Sequence, residues 1–158
     1  MLSKADTIPM FLPFIFAIIT LGTLVKPTTD TTSNNSVYRS LNKTLILQLV
    51  NQQRKAGCKC GDTYYSPAPA VKWSTELEIA ALKHSIDMDD RNYFSHTSSS
   101  GTNPGARITG EGYKWRTFGE NIAMGYPTEK DVVQGWVKSP GHCKNIMNKN
   151  FTEMGVGR

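Results

Sequence analysis

The sequence predicts an α+β domain in which helices and short strands are interspersed. Apolar residues recur at helical spacing in three segments, and a short apolar run near the end of the chain is typical of a strand. These segments do not follow the regular strand–helix–strand order of a parallel α/β protein, so helical layers on a small sheet are favoured. The chain has 158 residues, 39% hydrophobic and 20% charged, which is enough for one such domain.

The beginning of the chain is predicted to be an export signal. Residues 7–25 carry no charge and are flanked by lysines, as in the apolar segment of a signal peptide or of a signal anchor. The pattern leaves cleavage and anchoring open. We assign residues 1–26 to this leader, the small polar residues 27–36 to a disordered linker, and residues 37–158 to the domain.

The first predicted element of the domain is an amphipathic helix over residues 38–55. Its apolar positions recur at helical spacing and are Leu41, Leu45, Leu49 and Val50. Gly57 is predicted to end this helix as a C-terminal cap. A loop closed by two prolines is expected over residues 58–70.

The second predicted helix lies within residues 73–92. Thr75 and Glu78 have the three-residue spacing of an N-terminal capping box. One face of this helix is apolar and consists of Leu77, Ala80, Ala81, His84 and Met88.

The last predicted helix begins after Thr128, with Asp131 at the capping-box position, and stops or kinks at Pro140. Before it, residues 106–115 are compatible with a short helix and a turn. Residues 117–126 form a strand candidate that glycines interrupt.

A final strand is predicted to start near Thr152. Arg158 falls in the middle of that strand, which would leave an unpaired sheet edge. We therefore expect the natural protein to continue beyond this residue.

The charge pattern disfavours a nucleic-acid-binding protein. The formal net charge is +5 and the pI is about 9.2, but no block of five or six like charges occurs. A dispersed positive charge suits anionic surfaces such as cell-wall polymers or lipid head groups. A membrane contact is expected only through an uncleaved leader.

Three side chains could form a divalent-metal site with an open position. His96 and His142 follow predicted helix ends, and Glu120 lies between a glycine and an asparagine. Their wide separation makes spacing alone a weak signal, so surface histidines and a capping glutamate remain the alternative. His84 lies on an apolar helix face and is predicted to be a core histidine.

The three cysteines are expected to be oxidised in an exported chain. A bridge from Cys143 to either Cys58 or Cys60 is favoured over a bridge within the Cys-x-Cys pair, and one cysteine then stays free. Two alternatives remain open. They are a zinc cluster that adds His142 to the three cysteines, and a catalytic Cys143 with a neighbouring histidine as base.

Four blocks of sequence resemble the CAP superfamily, the SCP-like extracellular domain of cysteine-rich secretory proteins, antigen 5 and class 1 pathogenesis-related proteins. The blocks, in order, are YFSH, GENIAMGY, VVQGWVKSPGHCKNIMN and FTEMGVGR. The resemblance covers about residues 41–158 and is to the bacterial branch of the superfamily. It implies an α-β-α sandwich with a central antiparallel sheet, whose final strand is missing here.

The resemblance also implies a cleft with two histidines and two acidic residues, where divalent cations such as zinc bind. The matching residues are His96, Glu120 and His142, whereas the second acidic position falls on Ser139. A site reduced in this way is expected to hold a metal more weakly.

The predicted role is that of a secreted or cell-envelope domain, non-enzymatic, which binds a divalent cation or a small ligand from the envelope or the surroundings. One alternative is a metal-dependent hydrolase of envelope polymers or peptides, with Glu120 as general base. The other is a lipid- or sterol-binding protein.

Overall fold

Residues 41–158 are described by a computed structural model, and they form five helices and four short strands. The predicted α+β class is confirmed. The predicted leader, linker and first residues of the domain lie outside the described residues. None of the helices in residues 41–158 is both long enough and apolar enough to cross a bilayer.

Helix α1 spans Lys43–Ala56 and packs against helices near the end of the chain. It begins later than predicted because the Asn42 side chain accepts a hydrogen bond from the backbone N–H of Leu45 and caps the helix there. Gly57 ends it as predicted, with a φ of 71° that glycine adopts without strain.

Helix α2 spans Thr75–Asp90, and its cap differs from the prediction. Ser74, not Thr75, is the N-cap, since its Oγ accepts from the backbone N–H of Leu77. Glu78 instead accepts a hydrogen bond from Trp73 Nε1 at 2.9 Å, so the predicted capping box is wrong.

Three shorter helices follow: α3 over Pro104–Gly110, α4 over Glu129–Lys138 and α5 over Pro140–Ile146. Thr128 caps α4 through the backbone N–H of Asp131, as predicted. The predicted break at Pro140 is confirmed, because proline has no N–H to continue α4 but is well suited to the first turn of α5.

The strands form two separate pairs. Strands β1 (Cys58–Cys60) and β2 (Thr63–Tyr65) make an antiparallel hairpin, and β3 (Lys72–Trp73) pairs in parallel with β4 (Glu153–Met154). Strand β4 begins at Glu153, in agreement with the predicted start near Thr152.

The central antiparallel sheet implied by the resemblance is not formed by residues 41–158. The strand candidate at residues 117–126 has no strand structure. One reason is that the Glu120 carbonyl is occupied by the amide of Asn145, at 3.2 Å, and not by a neighbouring strand.

The core lies between α1 and the α4–α5 pair. Its buried members on α1 are Ile46 and Val50. The facing residues on and just after α4 and α5 are Val133, Trp136, Cys143, Ile146 and Met147. Burial of this apolar surface is the main stabilising contribution, and it fixes α5, which carries His142, against α1.

A buried arginine completes this packing. Arg54 is 1% exposed and donates hydrogen bonds to four carbonyl oxygens, those of Pro69 (2.7 Å), Ile146 (2.6 Å), Asn148 (2.9 Å) and Phe151 (3.0 Å). Arg54 thus connects the end of α1 to the loop before β3, to the end of α5 and to the segment that follows α5.

The terminal segment packs directly on α2 through two glycines. A Cβ atom at Gly155 would lie 2.1 Å from the backbone nitrogen of Glu78, and one at Gly157 would lie 2.1 Å from that of Leu82. Only residues without a side chain allow this approach of two backbones.

Candidate functional site

Two of the predicted site residues, His96 and Glu120, are in direct contact. His96 lies in the loop after α2, and its Nδ1 is 2.7 Å from Oε1 of Glu120 in the segment between α3 and α4. Because an ionised carboxylate only accepts hydrogen bonds, Nδ1 carries the proton. In the neutral form of the ring the lone pair then lies on Nε2, which is the nitrogen available to a metal ion.

Arg107 occupies the other oxygen of the same carboxylate. Its Nη2 donates to Oε2 of Glu120, and its Nη1 donates to the carbonyl oxygens of His96 (2.9 Å) and Thr102 (3.0 Å) and to Oγ of Ser98 (3.1 Å). The side chain is only 10% exposed. Arg107 therefore connects Glu120 to the loop that carries His96 and neutralises the carboxylate charge.

Asp87 holds the other end of the His96 loop. Its carboxylate accepts hydrogen bonds from Oγ of Ser99 (2.6 Å), from the Ser99 backbone N–H (2.9 Å) and from the Tyr93 hydroxyl. These hydrogen bonds, those from Ser99 foremost, hold the pKa of Asp87 well below its usual value. The loop is therefore fixed to α2 by an ionised carboxylate.

His142 is brought to the same region by two asparagines. The Asn121 amide donates to the His142 carbonyl at 3.1 Å, and the Asn145 amide donates to Oδ1 of Asn121 at 2.8 Å and to the Glu120 carbonyl. The two asparagines hydrogen-bond the Glu120 segment to helix α5. The structure thus brings the backbone of His142 next to the Glu120 segment. Within residues 41–158, the group of three or more potential ligand side chains that lie close enough to share a metal ion is Cys58, Cys60 and Cys143, and it does not include His96, Glu120 or His142.

The environment of His142 favours the neutral imidazole. Burial lowers the pKa of His142, and the neighbouring His96 lowers it further. Neutral imidazole is the form that binds metal ions, so this residue is suited to ligation at neutral pH.

Ser139 lies one helical turn before His142, at the junction of α4 and α5. Its side chain makes no capping hydrogen bond. The position where the resemblance implies an acidic residue therefore holds a small neutral one on the same side of the helix as His142.

The donor set fits a weakly held cation better than a three-ligand site. Both oxygens of Glu120 are already hydrogen-bonded, so the carboxylate is arranged to orient His96 and not to ligate. The available ligands are the imidazoles of His96 and His142. A zinc ion there would need further ligands, such as water.

The cysteine prediction is confirmed in its main part, since Cys60 and Cys143 form a disulfide and Cys58 remains a thiol. Thiolates, and not disulfide sulfurs, ligate metals and attack substrates. In this state neither the zinc cluster nor the catalytic Cys143 considered from the sequence is formed. Burial raises the pKa of the Cys58 thiol, although the Gln53 side chain opposes the shift.

His84 is a core histidine, as predicted. It is 3% exposed, and its Nε2 lies 2.8 Å from the Ser95 carbonyl. In the part of the chain that the structure describes, its buried Nδ1 has no hydrogen-bond partner. His84 borders a mainly apolar cavity of about 250 Å³ between α2, residues 119–123 and residues 154–157.

Three functional residues were missed by sequence reasoning: Arg107, Asn121 and Asn145. Asn121 directly follows Glu120, and Asn145 lies three residues after His142, so proximity in sequence was a usable signal. For Arg107 we find no such signal, because its partners lie in two separate segments, the loop that carries His96 and the segment that carries Glu120.

Comparison with known proteins matches the chain to one family model and to two bacterial relatives. The sequence model of a family described as "CAP: Cysteine-rich secretory protein family" matches residues 47–158. The uncharacterized protein YkwD of Bacillus subtilis (strain 168) is 37% identical over 86% of this chain and 49% of its own length. The uncharacterized membrane protein YlbC of the same organism is 29% identical over 90% of this chain and 38% of its own. The chain thus spans half or less of the length of these relatives.

Two solved structures are similar. A crystal structure of an extracellular protein containing an SCP domain from Bacillus anthracis str. Ames has a TM-score of 0.64 and 34% identity, covering 72% of this chain and 35% of that one. An outer surface protein from Borrelia burgdorferi has a TM-score of 0.56 and 22% identity, covering 71% of this chain and 76% of that one, and supports the fold alone.

Proposed function

The chain belongs to the CAP (cysteine-rich secretory protein) family, and we propose that it acts outside the cytoplasm as a non-enzymatic binding domain whose cleft holds a divalent cation through His96 and His142. Its relatives include an extracellular protein and a membrane protein. Export through the apolar leader is the matching proposal for this chain.

The observation that carries the proposal is the contact between His96 and Glu120. A carboxylate that accepts from one imidazole nitrogen fixes the tautomer and raises the basicity of the other nitrogen. Metal-binding histidines in proteins commonly have such a partner. His142, with its lowered pKa, supplies a second neutral imidazole.

The nearby charges favour weak binding. Arg107 neutralises Glu120, so the cation would meet no free negative charge from this pair. The serine at position 139, where the family resemblance implies an acidic residue, also weakens the expected binding because it adds no negative charge. A bound cation would then be exchangeable and could connect the domain to an anionic ligand of the envelope, in agreement with the net charge of +5.

The hydrolase alternative is less well supported by the geometry. A general base needs a carboxylate oxygen that is free to take a proton from water. Both oxygens of Glu120 are engaged, one by His96 and one by the guanidinium of Arg107, so neither is free to accept a proton from a water molecule.

The apolar cavity beside the site supports a second candidate function, which is the binding of a small apolar ligand of the lipid or sterol class. Its lining includes Leu77, Ala80, Met88, Ile122 and Val156. A volume of about 250 Å³ is slightly below the usual range for ligand pockets, which begins at about 300 Å³, so part of a longer ligand would remain outside. Such binding should be insensitive to a chelator.

Calorimetric titration of zinc into the full chain tests the cation proposal. A Cys58→Ser background removes the free thiol, which would otherwise bind zinc. We expect binding at neutral pH, a loss of at least about tenfold in affinity for His96→Ala and for His142→Ala, and tighter binding for Ser139→Glu. Lys144→Ala on the exposed side of α5 is the matched control.

Two results would overturn the proposal. One is the absence of zinc binding to a sample that circular dichroism shows to be folded. The other is binding with equal affinity in both histidine variants and the parent, which would place the ion elsewhere.

A further inference from the structure

All three cysteines of the chain lie in one cluster. The Cys58 sulfur is 3.4 Å from the Cys143 sulfur and 3.9 Å from the Cys60 sulfur. Cys58 and Cys60 are separated by two positions on β1, so both side chains lie on the face of the strand that is turned to α5 and Cys143. A free thiol is thus held against a disulfide that either cysteine of β1 could complete.

We propose that this cluster is an intramolecular thiol–disulfide exchange site, in which Cys58 and Cys60 alternate as the partner of Cys143. The Cys58 thiolate attacks the sulfur of Cys143, so that the Cys58–Cys143 bond forms and the Cys60–Cys143 bond breaks. The electron pair leaves on the Cys60 sulfur, which takes up one proton for the one that Cys58 lost. One disulfide and one thiol are present before and after, and no oxidant or reductant is consumed.

The chain-entropy contribution hardly distinguishes the two bridged forms. The sequence separation is 83 residues for the Cys60–Cys143 bridge and 85 for a Cys58–Cys143 bridge, so the closed loops are nearly equal in length. Local packing then determines the ratio of the two forms. The Cys58 sulfur is at nearly equal distances from the Cys60 and Cys143 sulfurs, so it lies beside the bond between them. Attack on the Cys143 sulfur in line with that bond therefore needs a rotation of the Cys58 side chain.

The exchange changes where the free thiol lies. In the form seen here it is the partly exposed Cys58, whereas in the other form it would be at position 60, whose side chain is 2% exposed. Thiol reactivity follows exposure and thiolate fraction. The exchange would therefore convert the form with a free Cys58, which reacts with external thiol reagents, into the form with a free Cys60, which is protected from them.

The sequence provides a direct assay, because trypsin cleavage after Lys59 separates Cys58 from Cys60. The oxidised full chain is quenched in acid, its free thiol is alkylated, and the non-reduced digest is analysed by mass spectrometry. We expect most of the protein to give the 60–72 peptide, which contains Cys60, bridged to Cys143. At least about one per cent should give the 56–59 peptide, which contains Cys58, bridged to Cys143, a fraction typical of a minor conformer.

Exchange is distinguished from a static mixture by a long incubation of the native protein with a bulky maleimide. This reagent reaches Cys58 but not buried Cys60. If the two forms interconvert, protein with the Cys58–Cys143 bridge should return to the form with a free Cys58, become labelled there, and so decrease with time. A minor fraction that stays constant, or the absence of the Cys58–Cys143 peptide, contradicts the proposal.

Variants give an independent measure. Cys60→Ser, prepared under the same oxidising conditions, should form the Cys58–Cys143 bridge almost completely, and Cys58→Ser should contain only the bridge seen here. Cys60→Ala is included in case the serine hydroxyl disturbs the buried position. Folded Cys60→Ser or Cys60→Ala protein with two free thiols would overturn the proposal.

Discussion

Arg107 donates a hydrogen bond to Oε2 of Glu120, the carboxylate oxygen that His96 leaves free. The same guanidinium binds the carbonyl oxygen of His96 itself. One largely buried guanidinium thus holds both the carboxylate and the loop of the histidine that this carboxylate orients. The alignment of the candidate site depends on a residue that would not ligate an ion.

Replacement of Arg107 by lysine should weaken zinc binding while leaving the charge of the site unchanged. A lysine ammonium cannot reproduce the planar set of donors that reaches Glu120, His96 and Thr102 together. We expect a loss of about 10- to 100-fold in affinity, the usual range for residues that orient a ligand. Calorimetry measures this, with Arg116→Lys on the exposed surface as control. Equal affinities would show that Arg107 does not position the site.

Replacement of Arg54 by methionine should destabilise the domain strongly. The variant keeps the apolar stem but leaves four carbonyl oxygens without their donor in a buried region. We expect a loss of about 3–5 kcal/mol in the free energy of unfolding, measured in urea. Lys55→Met, next to it and exposed, should change stability by less than about 0.5 kcal/mol. A small effect at Arg54 would mean that water replaces the guanidinium.

Replacement of Asp87 by asparagine should alter the dependence of stability on pH. Because the pKa of Asp87 is lower in the folded than in the unfolded state, its contribution is complete above the unfolded pKa and is lost as the pH falls towards the folded value. The variant should be less stable than the parent at neutral pH, and the difference should shrink below about pH 4.

Urea unfolding at a series of pH values measures this effect, with Asp90→Asn near the end of the same helix as control. A difference between parent and Asp87→Asn that stays constant from neutral to acidic pH would contradict the assigned role. Weaker zinc binding by Asp87→Asn at neutral pH would additionally connect the His96 loop to the site.

Replacement of Gly155 by alanine should displace the terminal segment from α2. Its new methyl group would meet the backbone of Leu77 and Glu78, which cannot rotate away as a side chain could. We expect a loss of about 3 kcal/mol in stability by thermal or urea unfolding. Gly141→Ala in α5, where the added methyl has open space, should be neutral or stabilising by about 0.5–1 kcal/mol.

Local sequence signals predicted the elements whose causes are local. Gly57, Thr128 and Pro140 act through their own backbone or the next turn, so the corresponding helix boundaries were predicted correctly. The N-cap of α2 shows the limit of such signals, since Ser74 and Thr75 are both residue types that cap helices well, and the structure uses Ser74 while Glu78 bonds to Trp73. The strand candidate at residues 117–126 failed because its partners are side chains of a distant helix.

By itself, the sequence determined the family, the α+β class, the candidate residues His96, Glu120 and His142, and a bridge to Cys143. Each of these is encoded by residue type and order along the chain. Only the tertiary structure decided that Cys60 and not Cys58 completes the bridge, that Arg107 holds Glu120, and that Arg54 lies buried among carbonyl groups. These choices depend on distances between segments separated by 13 to 97 residues, which packing of the core determines and local propensity does not encode.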